Sequence, residues 1–173
     1  MPKPKNVMVC MYGDTNPTVP RQSYNDNLFT RYNLGTPKLS ESDFYNLCIR
    51  DGIPNAPEKP ISIYGFMNTR YSYADANSIS EVVSLFEMDD NIQIVTSDVL
   101  VRRNTDGVEY LMYRYVHVSD LPNVPFFVRD SAIPSLNFMQ EDAALEQQMK
   151  RLHTSGHIIF HIAKPLLIAE GDI

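Results

Sequence analysis

Three of the four histidines in this chain fall within nine residues, at His153, His157 and His161 in "RLHTSGHIIFHIAKPLL". Spaced four apart, they would line one face of a helix and offer a zinc ion three imidazoles. The surrounding residues oppose a helix. Gly156 is suited to end one, and "HIIFHIA" has the β-branched, apolar composition of a strand. Residues four apart on a strand lie roughly 13 Å from each other. Zinc holds its ligands at about 2 Å, so His157 and His161 cannot share one ion. His153 is then a cation near a helix C-terminus, where the dipole favours it. No metal is expected.

A second pattern involves His117 and Ser119, in "YVHVSDL", and His161, in "IFHIAK". Two H-x-[ST] units on neighbouring strands resemble the two-histidine phosphoesterases. The resemblance implies one histidine as base, the other as acid, and hydroxyls that hold a phosphate. It departs from that pattern at Ala163, where the second hydroxyl is missing, and the two histidines stand only 44 residues apart. The competing reading makes His117 one more strand residue beside Tyr113 and Tyr115.

Other chemistries are excluded more simply. The seven glycines, at 13, 35, 52, 65, 107, 156 and 171, are never within five residues of one another. A P-loop or dinucleotide fingerprint needs them clustered. There is no H-E-x-x-H, no G-x-S-x-G and no acidic calcium loop. The two cysteines, Cys10 and Cys48, form no CxxC and sit in apolar segments, as buried reduced thiols do. No cofactor is expected, and a cytoplasmic location follows, that of the host cell if the protein is viral.

Charge narrows the partners. The net charge is -6 and the pI about 5.1. Binding a nucleic-acid backbone requires clustered Lys and Arg, and the chain has none beyond Lys3/Lys5 and Arg102-Arg103. No apolar run reaches the length of a membrane span. The stretch after Lys3 and Lys5 is too short for a secretory h-region and reads as a strand.

These residues must be positioned by a small set of elements. Strands are expected at 6–12, 61–66 and 157–169, with Pro165 placing the last at a sheet edge or bulge. "IQIVTSDVLVRR" and "VEYLMYRYVHV" flank "NTDG", a strong hairpin signal. Helices are expected at about 40–50, from a capping box at Ser78 and Glu81, and at about 136–154. Residues 13–37 carry three prolines and four asparagines without periodicity, yet also Val19, Tyr24, Leu28, Phe29, Tyr32 and Leu34. So long a loop usually serves a function or is ordered by a partner.

The expectation is one α+β domain spanning 1–173. Its sheet is mixed or mainly antiparallel, with about five strands, a long hairpin, three short helices and an extended arm at 13–37. Both faces of the hairpin are apolar, which implies cover on both. The expected function is non-enzymatic binding or assembly, with itself as partner, as in a small viral or phage structural or accessory protein. Tyr24, Phe29, Tyr32, Tyr113 and Tyr115 are the expected contact residues, since tyrosine is enriched at interfaces. The alternative is the phosphoesterase or a nuclease using His117, Ser119 and His161.

Overall fold

The structure is a computed structural model that describes residues 5–13, 22–24, 27–33, 40, 43–45, 47–48, 61–116, 124–135 and 158–170. Within them the chain forms strands β1 (Asn6–Tyr12), β2 (Leu28–Asn33), β3 (Ile61–Asn68), β4 (Tyr71–Tyr73), β5 (Ile92–Thr105), β6 (Val108–Arg114), β7 (Phe126–Arg129) and β8 (Ile158–Glu170). Helix α1 spans Ser78–Met88, and residues 43–45, 47 and 48 are helical too.

All eight strands join one sheet in the order β2-β1-β3-β7-β5-β8-β4, with β6 attached to β5. β1 runs parallel to β2 and β3, and β5 parallel to β8. β7 runs antiparallel between β3 and β5, so those two are parallel to each other. The expected mixed or mainly antiparallel sheet of about five strands with three short helices is therefore corrected to a mixed sheet of eight strands, accompanied among the described residues by two α-helical segments and a 3-10 helix at Asp130–Ser135. Three strands escape a sequence reading. β7 is four residues inside a proline-bounded segment, and β4 is three residues in a tyrosine-bearing loop. β2 lies inside the expected arm at 13–37. The expected helix at 136–154 falls outside the described residues.

One register row crosses six strands: Thr30, Val9, Gly65, Phe127, Val95 and Phe160. Gly65 is required there. A Cβ at that position would meet the Phe127 ring at 2.7 Å. The core on the face that carries Phe66 is aromatic. Phe66 lies between Tyr64, Tyr45 and Phe126, with centroids 6.3, 4.9 and 5.4 Å away. Cys10 and Cys48 are free and buried against this cluster, and burial, with Cys48 beside it, holds the Cys10 thiol protonated.

Helix α1 buries Ile79, Val82, Val83 and Phe86, the i, i+3, i+4, i+7 stripe of an amphipathic helix. The expected Ser78 cap is replaced. Asn77 occupies the N-cap position but its side chain makes no capping bond, accepting instead from Ser23 Oγ at 2.9 Å, and Gln22 does the work from 57 residues away. Its Oε1 accepts from Ile79 N–H at 3.1 Å, and its Nε2 donates to Asp75 O at 2.7 Å. At the other end the Arg129 guanidinium donates to Phe86 O, Asp89 O and Ile92 O and lies 5.1 Å from the Phe86 ring. A cation there complements the helix dipole and satisfies carbonyls the helix leaves open. No helix among the described residues is long and apolar enough to cross a membrane.

Candidate functional site

The row that holds Val9, Gly65 and Val95 fixes what lies further along. Three residues on, Tyr12 and Asn68 pair at the carboxyl ends of β1 and β3, and Asp98 stands the same three residues beyond Val95, midway along β5. β5 continues past this edge to Thr105, turns at Asp106-Gly107 and returns as β6. β8 accompanies β5 as far as Arg102, so the hairpin projects only beyond that residue, and Asp98 sits at its base where β6 ends.

Asp98 is 1% exposed, and a carboxylate so buried needs partners. It has three. Tyr113 O–H donates to Oδ2 at 2.5 Å, and Val116 N–H donates to Oδ1 at 2.9 Å. His161 Nε2 lies 2.8 Å from Oδ1. Burial pushes the Asp98 carboxyl upward, but the bonds from Tyr113, Val116 and His161 outweigh it and hold the group below the usual aspartate range. The same bond raises Tyr113 to about 12, with burial and the Asp98 charge adding to it.

His161 bridges onward. Its Nδ1 lies 2.8 Å from Thr96 Oγ1, its direct cross-strand partner. With Nε2–H donating to the carboxylate, neutral Nδ1 accepts from the threonine hydroxyl. Hydroxyl, imidazole and carboxylate in sequence follow the logic of an activated nucleophile. Thr96 is only 3% exposed, so a substrate carbonyl has no approach to it. The arrangement is a lock that ties β5, β6 and β8 at the hairpin root.

β8 breaks its register beside this lock. Ser97 pairs with Ile162 and Asp98 with Pro165, leaving Ala163 and Lys164 as a bulge. Pro165 needs that break because it cannot donate to a ladder. Lys164 Nζ reaches Glu81 Oε1 on α1 at 2.6 Å.

Beyond the root the hairpin is exposed and apolar. Val108 is 63% exposed, Leu111 49% and Tyr115 72%, with Tyr110, Met112 and Tyr113 near 40%. The Tyr113 and Tyr115 rings lie 4.8 Å apart. A cavity of about 630 Å³ beside the strands is lined by Arg102, Arg103, Tyr110 and their neighbours. Its charges are met internally: Arg102 reaches Glu170 at 2.6 Å and Glu109 at 3.2 Å.

Among the residues singled out from sequence, Tyr113 and Tyr115 stand exposed on the hairpin. Tyr24 and Phe29 pack against the chain's own core, and the Tyr24 hydroxyl donates to Lys5 O. Tyr32 lies on β2 opposite Met11. His161 is bound to Asp98, while His117 and Ser119 lie outside the described residues. Asp98 and Thr96 were missed. The signal was there, since an aspartate inside the apolar run "IVTSDVLV" must be exposed or paired. No group of three metal-ligating side chains occurs among the described residues.

No family model matches the chain, and no curated protein matches it in sequence. Solved structures do resemble it in fold. A197 from STIV superposes with a TM-score of 0.50 at 8% identity, covering 97% of this chain and 95% of that one. A cytidylyltransferase from Leptospira borgpetersenii gives 0.49 at 9%, covering 94% and 77%. A glycosyltransferase involved in the glycosylation of the major capsid of PBCV-1 gives 0.48 at 10%, covering 95% and 94%. At these identities the likeness to A197 is one of fold alone, and the two below 0.50 add nothing to it.

Proposed function

We propose that this chain is a binding and assembly protein that associates with itself through the β5–β6 hairpin, in the setting of a small viral or phage protein. The observation that carries this reading is the exposed apolar surface of β6. Five large apolar side chains, Val108, Tyr110, Leu111, Met112 and Tyr113, stand in water on a strand that pairs only with β5 among the described strands, and Tyr115 follows directly after it. Proteins that stay monomeric blunt such edges with charge, proline or a bulge. β6 has none of these between Tyr110 and Tyr113. The lock at Asp98 holds the hairpin in place, so association need not order it first.

Light scattering across a dilution series tests the proposal. The intact chain should be an oligomer, and Leu111→Lys should be a monomer with an unchanged thermal midpoint. A monomeric intact chain at every concentration sinks the idea.

A second reading rests on topology. β1 lies between β2 and β3, and the chain leaves in opposite directions on either side. In open α/β sheets, ligands bind outside the carboxyl ends at such a switch point. There Gly13 has φ +153° and Thr69 presses against it, so close that a Cβ would meet Thr69 Oγ1 at 2.1 Å. Thr69 N–H also donates to Tyr12 O at 2.9 Å. Thr69 thus fills the space beside Gly13, and a small polar ligand at this switch point would lie outside that pair, over the ends of β1 and β3. A thermal-shift screen with nucleotides should then raise the midpoint, and Gly13→Ala should abolish the rise. No shift with any nucleotide removes this reading.

A further inference from the structure

We infer that the surface completing β6 is the same edge of a second copy, paired antiparallel about a two-fold axis through Leu111. The register rests on the assembly reading above and goes beyond it by naming which atoms meet. Asp106 has φ 53° and Gly107 φ 80°, between the closing pair Thr105 and Val108. Positive φ at both central residues defines a type I′ turn, whose flanking residues form a hydrogen-bonded pair. Alternation along an antiparallel ladder then fixes the rest. Val108, Tyr110, Met112 and Arg114 direct their N–H and C=O groups to β5. Glu109, Leu111 and Tyr113 direct theirs outward.

A two-fold axis relating antiparallel strands stands perpendicular to the sheet, so residues that face each other must share a face. Full overlap of the seven residues of β6 centres the axis on Leu111. Leu111 then meets Leu111 of the second copy, and Glu109 meets Tyr113 of the second copy. Those are the outward-directed residues, and all of them find partners. Sliding the copy to the next allowed register leaves one of the three unmatched within the strand. Tyr110 faces Met112 of the second copy on one face and Leu111 faces Leu111 on the other, so the centre of each face joins apolar to apolar, while Val108–Arg114 and Glu109–Tyr113 lie at the ends. No like charges oppose each other. Arg114 lies beside the turn of the second copy, which carries Asp106.

Cysteine cross-linking reads this register directly. In a hydrogen-bonded antiparallel pair the Cα atoms are about 5.5 Å apart, within disulfide range. Leu111→Cys should give a covalent dimer on treatment with oxidised glutathione: the two thiols lose two protons and two electrons, and two reduced glutathiones leave. Cys10 and Cys48 are fully buried and stay out of the reaction. Tyr110→Cys should give little dimer, because its copies are offset by two positions, roughly 8 Å. As a second arm, Tyr110→Cys mixed with Met112→Cys should cross-link, because the two face each other as a non-hydrogen-bonded pair about 4.5 Å apart, and neither alone should. An oligomeric chain in which Tyr110→Cys links as readily as Leu111→Cys, or in which the mixed pair does not link, overturns the register but leaves assembly standing. A monomeric chain removes both.

Discussion

The phenol of Tyr113 and the carboxylate of Asp98 meet at 2.5 Å across β5 and β6, although Tyr113 stands 43% exposed and Asp98 only 1%. One end of this bond is in water and the other in the core. It links the projecting part of the hairpin to the body of the sheet. Removing the acceptor and removing the donor should therefore differ. Asp98→Asn keeps the shape but cannot satisfy Tyr113, Val116 and His161 together, so it should cost about 2–4 kcal/mol. Tyr113→Phe leaves the other two bonds intact and should cost less. Urea unfolding of both single variants and the double variant checks this. Equal losses from the two single changes, with strict additivity, would show that the bond does not couple the strands.

The same carboxylate sets an acid limit. Its folded pKa lies below the usual value. A depressed carboxylate stabilises the fold above its unfolded pKa, about 3.9, and that contribution is lost as pH falls through the lower folded value. The urea midpoint of the parent should drop more than that of Asp98→Asn on going from about pH 6 to about pH 3. Parallel curves would remove Asp98 as the acid-sensitive group.

At the alkaline end, Tyr64 is fully buried and its hydroxyl has no hydrogen-bond partner among the described residues. Burial above all, then Cys10, Asp130 and Cys48, pushes it to about 12. A raised pKa stabilises below the unfolded value, about 10, and the contribution is lost as pH rises through the folded one. Ultraviolet titration should show Tyr64 and Tyr113 ionising late, near 12. Tyr64→Phe should remove one late titration and raise stability, because it deletes a buried unsatisfied hydroxyl. A destabilised Tyr64→Phe would mean that the hydroxyl has a partner.

What could be read from sequence followed local signals. The hairpin showed because Asp106-Gly107 can hold positive φ on both residues and the runs on either side are long. Helix α1 showed through Ser78 and Glu81 at its start, although the cap itself comes from Gln22. β7 did not, because "FFVR" owes its strand state to β3 and β5 on its two sides, and four residues carry no period. β4 likewise depends on β8. In the candidate site, Asp98 looked like a polar interruption. The residues that make it a lock lie 15 and 63 positions away, beyond any pattern local to the strand. Parallel pairing of β2 to β1 was hidden for the same reason, and a stretch rich in prolines and asparagines read as an arm.

Gln22 shows how that stretch works and yields the last prediction. Its side chain is 4% exposed and both ends of the amide are used: Oε1 accepts from Ile79 N–H and Nε2 donates to Asp75 O. Ser23 N–H adds a bond to Ala76 O at 2.7 Å. The segment before β2 is thereby fastened to the start of α1. Gln22→Ala removes a buried donor and a buried acceptor at once and should cost about 1–2 kcal/mol, the range of a lost helix cap. Gln22→Glu is more telling. Its carboxylate can still accept from Ile79 N–H, where the helix dipole favours negative charge. It can no longer donate to Asp75 O, and it buries a charge against that carbonyl. At neutral pH Gln22→Glu should therefore be no more stable than Gln22→Ala. As pH falls the protonated acid regains a donor, and its deficit relative to the parent should shrink while that of Gln22→Ala stays constant. Thermal midpoints of the three chains across the acidic range decide it. A Gln22→Glu deficit that is independent of pH would mean that the Asp75 carbonyl is not its partner.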